Sequence, residues 1–116
     1  MRYRTSYNMT VQNVKDNDQY ESLCDALNGK GILNYALYRG GLRGISAEFH
    51  ENCPVTWRYH EKDMMDISKR FPNMVFQLRG QGEDHDDLWE KYFQNGDCEK
   101  CRAEIMMPYP TRIKWE

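Results

Sequence analysis

The stretch Leu88-Trp89-Glu90-Lys91-Tyr92-Phe93-Gln94-Asn95-Gly96-Asp97-Cys98 carries the strongest local signal in the chain. Asn-Gly is the favoured pair for a tight two-residue turn, because both central residues need positive φ and few residue types adopt it readily. The flanking runs, Leu88 to Phe93 and Cys98 to Met106, are β-prone, so this region predicts a hairpin. Ahead of it, Met74, Phe76 and Leu78 alternate with Val75, Gln77 and Arg79, which predicts another strand. Behind it, Pro108-Tyr109-Pro110-Thr111 cannot continue a central strand, since each proline lacks a ladder donor.

Working back from this sheet, His60 to Arg70 reads as a helix with Met64, Ile67 and Phe71 on one stripe. Its acids, Glu61 and Asp63, come early and its bases, Lys69 and Arg70, come late, as the helix dipole favours, and Pro72 stops it. Two strands are expected before it, Ile32 to Arg39 and the alternating run through Ile45, Ala47 and Phe49. A first helix is marked by Asp18 and Glu21 in capping-box spacing. Its apolar residues Tyr20, Leu23, Cys24 and Leu27 recur at helical intervals, and it should end at Gly29. The alternation Tyr3, Thr5, Tyr7, Met9, Val11 opens the sheet. The order strand, helix, two strands, helix, three strands predicts one α+β domain over residues 1–116. Its expected form is a ferredoxin-like antiparallel sheet with two helices on one face and an extra C-terminal hairpin.

Composition narrows the function classes. At 40% apolar and 29% charged residues the chain has the profile of a folded domain, and a formal charge of −2 provides no basic field for direct nucleic-acid binding. No apolar run reaches membrane-spanning length and residues 1–10 lack the apolar block of a signal peptide, so a cytoplasmic location is expected. Nucleophile-elbow, Walker and His-Glu-x-x-His motifs are missing, which nominates no enzyme, and no cofactor is expected. Cys98-Glu99-Lys100-Cys101 and His50-Glu51-Asn52-Cys53 together hold the ligand count of a structural zinc site. A three-residue step along a strand points side chains to opposite faces, however. Cys101 therefore reads as a core residue in line with Ala103 and Ile105, and no metal is assigned.

Two surfaces stand out as candidate contacts. Glu83, Asp84, Asp86, Asp87 and Glu90 crowd five carboxylates into eight residues around His85. The alternatives are a solvated loop and an acidic patch that mimics phosphates toward a basic groove. Trp57, Arg58 and Tyr59 are of the types favoured as interface anchors, the alternative being that Trp57 packs beneath the helix that follows.

The second half of the chain resembles a family of small, uncharacterised bacteriophage and prophage proteins. The likeness runs through residues 57–64, Ser68-Lys69-Arg70-Phe71-Pro72, residues 78–83, residues 87–93 and Asn95-Gly96. It departs at Arg79-Gly80-Gln81-Gly82, where that family has Gly-Glu-Gly with a further acid. The resemblance implies a phage-type accessory protein with a ferredoxin-like domain, working in the cytoplasm of a bacterial host, and it brings no known active site to transfer onto these residues. The resulting expectation is a non-enzymatic protein that binds a host protein, in one version a nucleic-acid-binding effector. An inhibitor of a host defence nuclease, anti-CRISPR-like, would use its acidic residues to compete for nucleic acid. A small-ligand or metal-binding domain and a homodimeric structural protein remain as alternatives.

Overall fold

In the computed structural model, which describes residues 3–84 and 86–102, strand alternation sets the architecture. Six strands, β1 (Ser6–Gln12), β2 (Leu37–Arg43), β3 (Ser46–Glu51), β4 (Val75–Gln81), β5 (Leu88–Gln94) and β6 (Asp97–Arg102), form one open antiparallel sheet in the order β2-β3-β1-β4-β5-β6. Helices α1 (Asn17–Gly29) and α3 (His60–Arg70), with the single turn α2 (Ile32–Tyr35), complete an α+β arrangement. None of the helices among the described residues is long and apolar enough to cross a membrane.

Register explains the core. Met9 lies between Phe49 and Leu78, and Val11 between Ala47 and Phe76, so the odd residues of β1 share a face with the inward residues of β3 and β4. Phe93 continues that face opposite Phe76. Leu23, Cys24 and Leu27 of α1 and Met64 and Ile67 of α3 bury against it in one cluster. Each large apolar side chain removed from water there contributes about 1.5–3 kcal/mol. The other face carries Asn8, Thr10, Glu48, Gln77, Arg79 and Glu90 and has no helix across it among the described residues.

Local chemistry accounts for most helix ends. The carboxylate of Asp16 accepts the Gln19 amide hydrogen at 2.9 Å, capping α1 two residues before the expected Asp18; such a cap is worth about 1 kcal/mol. Helix α3 has the expected limits. Phe71, ahead of Pro72, leaves helical geometry at φ −132°, ψ 70°, as a residue preceding proline must. Residues 32–35, expected as strand, form the helical turn α2 instead. Gly31 at φ 78° reverses the chain after α1, and the turn places Ile32 and Ala36 in the core before β2 begins at Leu37. Burial of Ile32 and Ala36 overrode the β-propensity of the segment.

Regular pairing of β1 starts at Ser6, later than the alternation from Tyr3 suggests, and Thr5 makes an isolated bridge to Val55. Asn95 and Gly96 have φ of 50° and 86°, and Gln94 pairs with Asp97 across them. The expected continuation of the last strand to Met106, the proline tail and His85 lie outside the described residues.

Candidate functional site

Residues 3–5 bridge the two sequence-nominated segments at one end of the sheet, where β1 begins, β4 ends and β5 starts. Thr5 and Val55 exchange backbone hydrogen bonds at 2.8 and 3.0 Å, and the Thr56 hydroxyl donates to the Tyr3 carbonyl at 2.8 Å. On the other side of the same segment, the Arg4 amide donates to Glu83 Oε2 at 3.0 Å. The Tyr3 hydroxyl donates to Asp87 Oδ2 at 2.5 Å and accepts the Asp84 amide hydrogen at 3.3 Å. Residues 3–5 therefore stitch the segment leading into α3 to the turn between β4 and β5. That turn is also closed on itself, by Gly82 N–H to Asp87 O at 2.8 Å and Asp87 N–H to Asp84 O at 3.1 Å.

The five carboxylates that are contiguous in sequence have three different surroundings. Glu83 and Asp87 hold the N-terminal segment. Asp84 and Asp86 are exposed at the tip. Glu90 points from β5 to the opposite, helix-free sheet face, where Arg79 Nη2 reaches it at 2.9 Å and the Tyr92 hydroxyl donates at 3.0 Å. Burial pushes the Glu90 carboxyl up, but the hydrogen bonds from Arg79 and Tyr92 outweigh it and hold the group below its usual range. Hydrogen bonding to Asp87 raises the Tyr3 hydroxyl above the ordinary phenol value, because ionising it would set two anions side by side.

Trp57 is only 6% exposed. Its ring meets Tyr7 edge-on at 5.1 Å and its Nε1–H donates to Asp63 Oδ2 at 2.9 Å, so it packs against the first turn of α3. Arg58 and Tyr59 are exposed beside it, Tyr59 at 64%. Of the three nominated residues, the structure leaves these two available for contact.

Beneath this surface lies a polar cluster that sequence reasoning missed. Lys91, on the core side of β5 between Trp89 and Phe93, has a side chain only 6% exposed. Its Nζ lies 2.7 Å from Glu61 Oε2 and 2.6 Å from His60 Nε2. The same ammonium sits 4.5 Å from the Trp89 ring centroid, and His60 stacks on Trp89 at 5.2 Å. His60 Nδ1 is 3.0 Å from the Trp57 carbonyl, which can only accept; Nδ1 therefore carries the proton and Nε2 accepts from Lys91. Burial lowers the His60 pKa, and the cationic charge of Lys91 adds to that effect. The hydrogen bond from Lys91 holds Glu61 below its usual range. A buried lysine is stable only when paired, and this one spends its protons clasping α3 onto β5. The signal was present in sequence, since a lysine at an inward position of an alternating strand demands partners.

The zinc constellation does not assemble. His50 lies on β3 and Cys98 on β6, four strand steps apart and so roughly 19 Å, beyond the reach of one ion. Among the described residues no group of three His, Cys, Asp or Glu is placed to hold a metal. Cys98 packs against the core opposite Phe93, and the backbone of Cys101 pairs opposite Glu90; the side chain of Cys101, expected in the core, lies outside what the structure describes. A cavity of about 520 Å³ lies at the far end of β5 and β6, lined by Tyr92, Gln94, Asp97 and Glu99 among others, and one of about 400 Å³ lies between α1 and β2. Comparison with known proteins finds no matching family model and neither a curated protein nor a solved structure with significant similarity.

Proposed function

We propose that this chain is a non-enzymatic accessory protein of phage type that works by contact, occupying a surface on a host protein in the bacterial cytoplasm. The observation that carries the reading is the stitch made by Tyr3, Arg4 and Thr5. It fixes the exposed acids Asp84 and Asp86 on a closed turn and ties that turn to the segment bearing exposed Arg58 and Tyr59. A contact surface held by its own backbone loses little freedom on binding, and tyrosine and arginine are favoured anchors. Acidic groups displayed in this way suit a basic, nucleic-acid-binding partner, and inhibition of a host defence nuclease is the version we favour. The resemblance of residues 57–96 to phage and prophage proteins supports the origin. The strand order β2-β3-β1-β4, with α1 and α3 on one face, supports a ferredoxin-like core to which β5 and β6 are appended as a hairpin.

The test is affinity capture from a bacterial lysate with the wild-type chain and with Asp84→Lys/Asp86→Lys, read by mass spectrometry. A specific partner that the double variant loses, at unchanged melting temperature, supports the reading. Recovery of no specific partner at micromolar protein, or equal capture by both forms, overturns it.

A further inference from the structure

We infer that the contact between His60 and Lys91 is an acid-sensitive latch. Protonation of His60 at Nε2 replaces an accepted hydrogen bond with two cations face to face, and so releases the Trp57–His60 turn from the sheet.

The geometry leaves the imidazole no neutral route to protonation. Nδ1–H is committed to the Trp57 carbonyl at 3.0 Å, so the incoming proton must go to Nε2, and Lys91 Nζ already stands 2.6 Å from that atom. The ring cannot turn aside without losing its stack on Trp89 and its contacts with Tyr7 at 5.8 Å and Trp57 at 6.0 Å. The ammonium has little room to retreat. It is held by Glu61 at 2.7 Å and covered by the Trp89 ring.

Every element around the imidazole contributes to this balance. From α3 itself, Glu61 favours the imidazolium, and Asp63 is engaged by the Trp57 indole at 2.9 Å. From β1 comes Tyr7, whose hydroxyl burial pushes up to about 12, so it adds no charge in the physiological range. From β5 comes Lys91, and from β6 Lys100; both disfavour the imidazolium. Cys98 of β6, its thiol pushed up by burial, stays protonated and neutral. On β4, Gly80 lies under Trp89 and has no side chain to titrate.

Opening has a defined mechanical consequence. The His60–Trp57 hydrogen bond spans Arg58 and Tyr59, and Trp57 is the aromatic wedge beneath that turn. Breaking the latch therefore loosens the exposed pair at the start of α3. Regulation of binding through Arg58 and Tyr59 rests on the function proposed above, whereas the latch itself is measured with no partner present, so either can fail without the other.

The experiment is an NMR titration of the full chain from about pH 7.5 to about pH 5, above the range where Glu61 protonates. It follows the His60 ring protons, the Trp57 and Trp89 indole N–H signals and amide exchange over residues 57–63. The latch predicts a His60 midpoint below the ordinary 6.5, with both indole signals moving and exchange accelerating at that same midpoint. Each unit of depression corresponds to about a tenfold difference in proton affinity between closed and open forms. His60→Gln, which can accept from Lys91 but cannot charge, should hold the indole signals constant over this range. Lys91→Met should move the His60 midpoint upward. A His60 midpoint at or above 6.5, indole signals that stay fixed while His60 titrates, or a wild-type-like transition in His60→Gln overturns the inference. The wild-type titration alone decides the matter if neither variant folds.

Discussion

The indole of Trp89 on β5 occupies the space over its register partner Gly80 on β4, so closely that a Cβ at position 80 would lie only 2.1–2.7 Å from three atoms of the six-membered ring. The absence of a side chain at residue 80 is what lets Trp89 lie against the sheet and present one face to His60 and Lys91. Gly80→Ala should therefore force Trp89 outward and destabilise the chain by about 1–3 kcal/mol, the usual cost of overpacking a core. Urea unfolding followed by tryptophan fluorescence measures it, and a midpoint within error of wild type would contradict this packing.

Ser68 joins the last turn of α3 to the chain reversal at Asn95-Gly96. Its fully buried hydroxyl accepts the Gly96 amide hydrogen at 2.8 Å and donates to the Met65 carbonyl at 2.9 Å. Ser68→Ala leaves the Gly96 amide without that acceptor and should cost about 1 kcal/mol. Amide exchange at Gly96 should accelerate more than at neighbouring residues of β5, which separates a local loss from general loosening.

Acid should weaken the fold in two stages. His60 is neutral when folded and its pKa is depressed below 6.5, chiefly by burial, so the unfolded chain binds the extra proton first. Stability is thus unaffected by this group well above pH 6.5, falls as the pH drops below that value, and levels off beneath the folded pKa. Glu61 is ionised when folded and depressed below 4.5, chiefly by its hydrogen bond with Lys91; its contribution is present above 4.5 and is lost as the pH falls through the folded pKa. Urea midpoints across this range should decline in both stages for wild type, and His60→Gln should lack the upper one.

Tyr3→Phe removes the donor to Asp87 and the acceptor for the Asp84 amide. The turn between β4 and β5 should become a site of limited proteolysis while the remaining sheet resists. Asp86→Lys, which changes an exposed carboxylate with no role in the stitch, should leave both protease pattern and melting temperature unchanged.

Thiol labelling should follow burial. Cys53 is exposed, whereas Cys24 is 2% exposed and its thiol is pushed up by burial, which suppresses the reactive thiolate. Peptide mapping after a brief iodoacetamide pulse should find Cys53 alkylated well before Cys24, and equal labelling would contradict the packing of α1.

Residue patterns made much of this fold legible. The limits of α3 follow from the apolar stripe, the charge gradient and Pro72, all within a dozen residues. The start of α1 did not, because Asp16 and Asp18 both suit a cap, and the choice of Asp16 goes with the Gln19 side chain reaching back to the Lys15 amide at 2.7 Å. Residues 32–35 misled, since β-prone side chains also suit a helical turn that sets Ile32 in the core when the chain must reverse there. The candidate surface was half legible. Exposed Asp84, Asp86, Arg58 and Tyr59 were nominated by residue type, but nothing in their spacing says that Tyr3 and Thr5 bring the two segments together.

The amino-acid sequence by itself determined the buried faces of β1, β3 and β4, the apolar stripes of α1 and α3 and the positive-φ turn at Asn95-Gly96, because a period of two or of 3.6 and the φ demands of Asn-Gly are local properties. Tertiary structure alone decided the strand order, the dispersal of Glu83, Asp87 and Glu90 to different partners, and the meeting of Lys91 with His60 and Glu61 across 30 residues of chain. Those depend on register between distant segments, where a single inward lysine on β5 is tolerable only because α3 delivers an acceptor and a carboxylate to the same point.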